Sequence, residues 1–294
     1  MPHAQSEGAR IYYEEAGRGT PILFIHEFGG DLRSWDDQMR HFGRGWRCLR
    51  WDARGYPRSD APQEESLYGQ DFFNRDAIAV LDAAGVDKAH VVGLSMGGYT
   101  ALMLAAKHPA RVISCVAAGA GSGALKSSRA QFIAEARANA AAMERAGRID
   151  AAAMGLSPTR VQLHCKDPSG WQTFVDHLSE HAAHAAAKTL RTVQVGRASL
   201  YDMEAELRAV TAPTLLLVGD EDEPCLDVNL WLKRLMPVAR LAVLPGSGHA
   251  TNLEEPEQFN ALVGSFLADV ERGSWRPRDP RAKPGALTAW AKAD

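Results

Sequence analysis

The stretch from Lys88 to Leu104 limits the fold of this 294-residue chain more than any other. An apolar run over residues 89–92 enters Gly93-Leu-Ser-Met-Gly97, and a run rich in Ala, Leu and Met follows. The first run predicts a buried strand and the second a helix, so Ser95 would lie at the corner between them. The flanking glycines leave room for so sharp a corner. The pattern predicts an exposed nucleophile at a helix N-terminus, where free amides favour negative charge.

Short apolar runs alternate with helix-compatible segments on both sides of this corner. We predict strands over residues 10–15, 21–25, 46–51, 89–94, 111–117, 214–218 and 240–244. We predict helices over residues 34–42, 70–84, 96–108, 230–236 and 256–272. This alternation is typical of an α/β protein with a mostly parallel sheet and helices on both faces.

The pattern changes between residues 121 and 198, where alanine is abundant and no strand-like run occurs. Helices predicted over 128–146, 150–153 and 171–189 indicate an inserted helical cap, so the core would comprise residues 1–120 and 199–272. Residues 273–294 contain three prolines and several basic residues. They predict an extended or disordered C-terminal tail.

Composition excludes several classes of function. The net charge is −3, and acidic and basic residues are mixed along the chain, so no nucleic-acid partner is expected. No apolar run is long enough to span a membrane, and the polar N-terminus does not resemble a secretion signal. Four widely spaced cysteines form no metal or redox motif, so we expect a cytoplasmic protein without a metal or cofactor. The sequence is compatible with a homodimer.

Three side chains predicted to follow strands could activate a serine. A serine hydroxyl needs a base to take its proton, and the base needs a partner that orients it. His249 follows the predicted strand over 240–244 in a glycine-containing loop and is the candidate base. The acid should come from the loop after 214–218, where we favour Asp222, whereas Asp220 fits a turn residue. The order Ser95, Asp222, His249 along the chain is the one expected when a nucleophilic serine lies on a strand–helix corner.

Acyl transfer also requires hydrogen-bond donors for the oxyanion that forms on the substrate. The backbone N–H of Met96 comes with the corner at Ser95. The second donor should come from the loop after the strand over residues 21–25, and we predict the N–H of Phe28.

Taken together, these residues resemble the α/β-hydrolase superfamily of capped serine hydrolases, over about residues 10 to 271. The core is most like the enol-lactonase and small carboxylesterase branch. The resemblance implies an α/β-hydrolase fold with an eight-stranded sheet, and a nucleophile, acid and base at Ser95, Asp222 and His249. The matching motifs are Gly93-Leu-Ser-Met-Gly-Gly98, the His26 loop, Asp52-Ala-Arg-Gly55 with Ser59-Asp60, Gly219-Asp-Glu-Asp222 and Gly248-His249.

The chain departs from the family pattern at two positions. Glu27 follows His26 where glycine is usual, and Tyr56-Pro57 replaces the usual His-Gly pair. A carboxylate at position 27 would lie near the site, so we treat His26 and Glu27 as candidate substrate contacts.

The cap contains a group of histidines at helical spacing. His177, His181 and His184 would share one helix face, which fits a solvated face or a strip that touches substrate better than a metal site. His181 and Trp171 are therefore further candidate substrate contacts, although the spacing of Trp171 also fits the core of the cap.

These patterns predict a serine hydrolase that cleaves a small carboxylic ester or lactone through an acyl-enzyme. Hydrolysis of a carbon–carbon bond and cofactor-free perhydrolysis would use the same side chains. A non-catalytic ligand-binding protein is the third hypothesis. Serine at the corner argues against the haloalkane dehalogenases and epoxide hydrolases of this fold, which carry aspartate there.

Overall fold

The computed structural model describes residues 2–282. Its strands form one sheet, and they are β1 (His3–Ser6), β2 (Ala9–Ala16), β3 (Pro21–Ile25), β4 (Arg47–Trp51), β5 (Ala89–Leu94), β6 (Val112–Ala118), β7 (Thr214–Gly219) and β8 (Ala239–Leu244). The spatial order is β1-β2-β4-β3-β5-β6-β7-β8. Strand β2 is antiparallel to β1 and β4, and all other neighbours are parallel. The expected eight-stranded, mostly parallel sheet is confirmed.

The helices alternate with these strands. They are α1 (Asp36–Phe42), α2 (Gln70–Ala83), α3 (Met96–Lys107), α4 (Arg129–Ala146), α5 (Ala151–Gly155), α6 (Val161–Lys166), α7 (Pro168–Ser179), α8 (Ala183–Thr189), α9 (Glu204–Arg208), α10 (Glu223–Leu235), α11 (Thr251–Glu254) and α12 (Pro256–Glu271). A π-helical turn, Leu190–Val195, continues α8, and 3₁₀ turns lie at Leu32–Trp35, Glu65–Leu67, Pro109–Arg111 and Leu200–Met203.

Alternation along the strands divides the core into two layers. In β3, Leu23 and Ile25 face one apolar cluster, which includes residues of α2, α3 and α10. Ile22 and Phe24 face the other cluster, formed with α1 and α12. Successive side chains of a strand point to opposite faces, so a strand covered on both faces is apolar throughout. This explains why each central strand could be recognised as a short continuous apolar run.

Several segments differ from the sequence-based expectation, among them the short helices α9 and α11, which were not predicted. Strand β1, His-Ala-Gln-Ser, was not predicted because it is short and polar, and of its side chains only that of Ala4 is fully buried. Helix α10 begins at Glu223, seven residues before the predicted start. Pro224 lies in its first turn, where the missing N–H of proline is tolerated because N–H groups there have no partner within the helix. Helix α6 was also missed.

The prediction of one continuous helix over residues 171–189 is wrong, because the structure has two helices there. Helix α7 ends at Ser179 and α8 begins at Ala183, so residues 180–182 form a connection. His177, His181 and His184 therefore do not share one helix face. The connection is held by the core, because Glu180 pairs with Arg33 and the ring of His181 packs edge-on against Tyr56.

The first residues of the predicted C-terminal tail contact the core without forming a helix or strand. The indole N–H of Trp275 donates to the carbonyl of Val238 at 2.9 Å, and its ring packs against Phe266. Arg278 donates to the carbonyls of Lys233 and Arg234. Residues 283–294 lie outside the described part of the chain. Within residues 2–282, no helix combines the length and apolarity needed to cross a membrane.

Candidate active site

Ser95 occupies a strained corner between β5 and α3. Its φ of 55° and ψ of −109° make it the one non-glycine residue among residues 2–282 with a positive φ. Such a conformation costs of the order of 1–3 kcal/mol and persists only where the surroundings enforce it. The N–H of Ser95 donates to the carbonyl of Ala118 at 2.7 Å, and the carbonyl of Ser95 accepts the N–H of Tyr99 at 2.8 Å. The corner is therefore fixed from both sides.

The glycines beside Ser95 are required by packing. A Cβ at Gly97 would overlap the carbonyl of Ile25, and a Cβ at Gly93 would overlap the carbonyl of Gly97. The sharp corner at Ser95 therefore requires glycine at both positions.

His249 and Asp222 lie side by side at the carboxyl ends of the neighbouring strands β7 and β8. The Nδ1 of His249 lies 2.8 Å from Oδ2 of the fully buried Asp222. Burial lowers the pKa of His249, but the adjacent Asp222 carboxylate outweighs it and holds that pKa well above its ordinary value. Asp220 is exposed and accepts the N–H of Ser247, so of the two acids considered it is Asp222 that contacts the histidine.

Cys225 lies close to this pair. The side-chain atoms of Asp222, Cys225 and His249 that could bind a metal ion all lie within 4.8 Å of one another. Burial raises the pKa of the Cys225 thiol, which donates to the carbonyl of Gly119 at 3.2 Å. With the thiol bonded to Gly119 and His249 bonded to Asp222, the arrangement fits a histidine–carboxylate pair with a neutral neighbour.

The two predicted oxyanion donors have no acceptor within residues 2–282. Neither the N–H of Met96 nor that of Phe28 donates to any atom of residues 2–282. Met96 is the first residue of α3, where an N–H has no partner within the helix. Phe28, Ser95 and His249 all line one cavity of about 590 Å³.

Most of the cavity wall comes from residues 121–198, the segment predicted to be a cap and called the cap below. Apolar side chains dominate, and the largest are Phe132, Met143, Ile149, Met154 and Leu190. Exposed polar side chains of Glu135, Asn139, Arg148 and Asp150 also line it. The cavity therefore suits a small molecule with an apolar body.

His26 and Glu27 line no part of this cavity. The Nε2 of His26 accepts the N–H of Ala53 at 3.0 Å, and its Nδ1 lies 2.7 Å from the carbonyl of Glu27. An Nε2 that accepts leaves the proton on Nδ1. Burial lowers the pKa of His26, which favours this neutral form. The ring therefore joins two loops, and the expected substrate contact has no support in its position.

Glu27 is fully buried and pairs with Arg160 of the cap. Its Oε1 accepts Nη1 at 2.9 Å, and its Oε2 accepts Nη2 at 2.6 Å. No sequence pattern marks Arg160 as a partner for this carboxylate. The one available signal was Glu27 itself, because a carboxylate inside a buried loop requires a basic partner.

The other two candidate substrate contacts also lie outside the cavity wall. His181 is buried with its Nε2 3.6 Å from Oδ2 of Asp31. The indole of Trp171 donates to the carbonyl of Gly155 at 2.9 Å, and the ring packs against the apolar core of the cap. Both side chains hold the cap together or attach it to the core.

Comparison with known proteins agrees with this architecture. A sequence model of the family described as alpha/beta hydrolase fold matches residues 20–256. The 2-hydroxy-6-oxo-6-phenylhexa-2,4-dienoate hydrolase of Burkholderia cepacia is 29% identical over 274 residues, which cover 88% of this chain and 92% of that protein. The 3-oxoadipate enol-lactonase 1 of Acinetobacter baylyi is 26% identical over 261 residues, covering 85% and 89%.

A solved structure described as Est816, an N-acyl homoserine lactone degrading enzyme, is 28% identical to this chain. It superposes with a TM-score of 0.73 and covers 90% of this chain and 100% of that one. The family match extends over most of the sheet and includes both Ser95 and His249. The protein is therefore a hydrolase that belongs to the alpha/beta hydrolase family.

Proposed function

We propose that the protein is a serine hydrolase that cleaves a small carboxylic ester or lactone, with Ser95 as nucleophile, His249 as base and Asp222 as the residue that orients the base. The observation that carries the proposal is the shared cavity: the strained Ser95 faces it together with His249, whose Nδ1 is bonded to Asp222. This is the arrangement that serine activation needs.

The reaction follows from these positions. Asp222 occupies Nδ1 of His249, so Nε2 is the nitrogen left to take the Ser95 proton. Ser95 Oγ then bonds to the substrate carbonyl carbon, and the N–H groups of Met96 and Phe28 donate to the oxyanion. The bond to the leaving oxygen breaks, and that oxygen takes the proton from Nε2. A water molecule, deprotonated by His249, hydrolyses the acyl-enzyme in the same way and restores Ser95.

Features of the cavity support the substrate class. A wall of methionine, phenylalanine and aliphatic side chains suits an acyl group with a short alkyl or aryl body. Relatives named as an enol-lactonase and as an acyl homoserine lactone degrading enzyme act on ring esters. We therefore place lactones beside open-chain esters in the proposal.

A fluorophosphonate probe tests the assignment of the nucleophile. The wild-type protein should be labelled, and Ser95→Ala and His249→Ala should not, while circular dichroism shows that both variants remain folded. Hydrolysis of p-nitrophenyl esters with acyl chains of two to eight carbons, and of γ- and δ-lactones, then defines the substrate. Equal labelling of wild type and Ser95→Ala would refute the proposal.

The relative from Burkholderia cepacia favours carbon–carbon bond hydrolysis as a second candidate. The same three side chains would serve a vinylogous diketone, whose carbonyl also needs a nucleophile and an oxyanion hole. Loss of the dienone chromophore on addition of the protein, in the absence of ester turnover, would favour this candidate over the first.

A further inference from the structure

We propose that Glu27 and Arg160 are positioning residues that hold the Phe28 amide in place as an oxyanion donor, so that the cap completes the catalytic site. This inference rests on the proposed function of Ser95 and on the assignment of Phe28 as a donor. It gives a role to the glutamate that stands where the resembling family usually has glycine.

The guanidinium of Arg160 forms hydrogen bonds to the residue before the Phe28 amide and to the carbonyl after it. Both of its terminal nitrogens bond to the Glu27 carboxylate, and Nη2 also donates to the Phe28 carbonyl at 3.0 Å. Only Arg offers this planar fork, which binds a carboxylate with two parallel bonds. The Glu27 side chain and the following carbonyl are therefore fixed by one group of the cap.

His26 sets the direction of the amide itself. Its ring Nδ1 donates to the Glu27 carbonyl at 2.7 Å. In a trans peptide the N–H points opposite to the carbonyl, and the described residues contain no cis peptide. The Phe28 N–H therefore points away from His26. Phe28 itself faces the cavity, and its N–H has no acceptor among residues 2–282.

Thr159, the residue before Arg160, contacts the loop that carries His249. The carbonyl of Thr159 accepts the backbone N–H of His249 at 2.9 Å. The Glu254 carboxylate accepts the N–H groups of Gly248 and Ala250 on either side of that histidine. Two consecutive cap residues thus contact both the oxyanion loop and the base loop, so a small movement of this segment would disturb both.

Arg160 lines the cavity, so it could instead bind an anionic substrate group. Its charge, however, is already balanced by Glu27, and the guanidinium also stacks over Phe174 at 5.0 Å. A group so engaged is better suited to hold a loop than to exchange partners in each catalytic cycle. The two roles differ in their kinetics, because positioning affects kcat whereas binding affects KM.

The test compares Arg160→Met, Arg160→Lys, Glu27→Gln and the double variant Glu27→Gln/Arg160→Met with the wild type. Arg137→Met is the matched control, because Arg137 is an exposed cap arginine outside the cavity wall. The measurements are kcat and KM on p-nitrophenyl butyrate, the rate of fluorophosphonate labelling of Ser95, and the melting temperature.

We expect Arg160→Met and Glu27→Gln to lower kcat and the labelling rate about 10- to 100-fold, somewhat less than the deletion of an oxyanion donor. The KM should stay within about threefold of the wild-type value. Arg160→Lys keeps the charge but not the fork, so it should stay close to wild type in melting temperature and still lose rate. The double variant leaves no unpaired buried charge, so its melting temperature should recover while its kcat stays low.

Recovery of both kcat and melting temperature in the double variant would show a purely structural pair and overturn the inference. A raised KM with an unchanged kcat would do the same in favour of substrate binding. Failure of the proposed function would look different, because the wild type itself would then neither turn over esters nor be labelled at Ser95.

Discussion

At the scale of single residues, we expect the contact between His249 and Asp222 to set how the activity responds to pH. A buried imidazole alone would have a lowered pKa, but the carboxylate 2.8 Å away keeps the pKa of His249 well above its ordinary value of 6.5. A general base must be neutral to accept a proton. Activity should therefore rise with pH through a pKa above 6.5.

Replacement of the acid tests this explanation. In Asp222→Asn the negative charge that favours the imidazolium is lost, so the acid limb of the kcat/KM profile should move to lower pH. The maximal rate should also fall, by up to about 10⁴-fold, because Asn favours the wrong tautomer of the histidine. A pH–rate profile from pH 5 to 9 measures both effects, and an acid limb at the wild-type position would contradict the assigned cause.

The proposed catalytic side chains and the side chains proposed to support them differ in how far the sequence could predict them. Ser95, Asp222 and His249 each come shortly after a strand, in a segment that contains glycine, so their positions could be predicted from local pattern. Arg160 has no such mark, since its partner Glu27 is 133 residues away and only the packing of the cap joins them. Contacts between distant segments depend on tertiary structure, which local periodicity does not contain.

At the scale of elements, the strand–helix corner depends on the absence of a Cβ at one glycine. In Gly97→Ala the new methyl group would overlap the carbonyl of Ile25 in the neighbouring strand β3. Backbone cannot yield as a flexible side chain can, so we expect a loss of about 2–4 kcal/mol in the free energy of unfolding.

Gly45→Ala is the control for this substitution. Apart from Gly45 and its two chain neighbours, no atom of residues 2–282 lies within 4 Å of a Cβ built at Gly45, and the φ of Gly45 is not positive. Urea denaturation should show Gly45→Ala within about 0.5 kcal/mol of the wild type or slightly more stable. Equal midpoints for the two variants would show that the corner tolerates a side chain.

The helix predicted over residues 171–189 shows where element boundaries escape sequence analysis. Residues 171–189 contain neither glycine nor proline, the two residues that most strongly mark a break in a helix, so nothing local marks one here. The break between α7 and α8 coincides with contacts to the core, in which Arg33 pairs with Glu180 and His181 lies beside Tyr56. Tertiary contacts therefore override propensity at this point.

At the scale of the whole molecule, charged pairs attach the cap to the core. Arg33 bonds both Asp31 in its own loop and Glu180 in the cap, and Arg191 of the cap pairs with Glu65 of the core. Burial acts against the charged form of Asp31, but His181 and Arg33 hold the pKa of its carboxyl well below the usual range.

This lowered pKa predicts how the protein unfolds in acid. A carboxyl whose folded pKa is depressed contributes stability above its unfolded pKa, near 3.9, and that contribution is lost as the pH falls further. At pH 7, Asp31→Asn should lower the free energy of unfolding by about 1–3 kcal/mol. Between pH 5 and pH 2 the variant should lose less stability than the wild type.

Asp87→Asn is the control for this comparison, because Asp87 is exposed and its side chain has no ionic partner within residues 2–282. Melting temperatures measured across the acid range should follow the wild type for Asp87→Asn and diverge from it for Asp31→Asn. Parallel curves for all three proteins would remove Asp31 as the group responsible.

The contacts of Thr159 and Arg160 also bear on how such a protein could be redesigned. A chimera that exchanges only the cap assumes that the cap selects the substrate. It also assumes that every residue needed for catalysis belongs to the core. In this chain a graft that removed Thr159 and Arg160 would leave Glu27 as a buried anion and the His249 amide without its acceptor. A cap exchanged into this protein should therefore retain both Thr159 and Arg160, or Glu27 should be replaced by glycine.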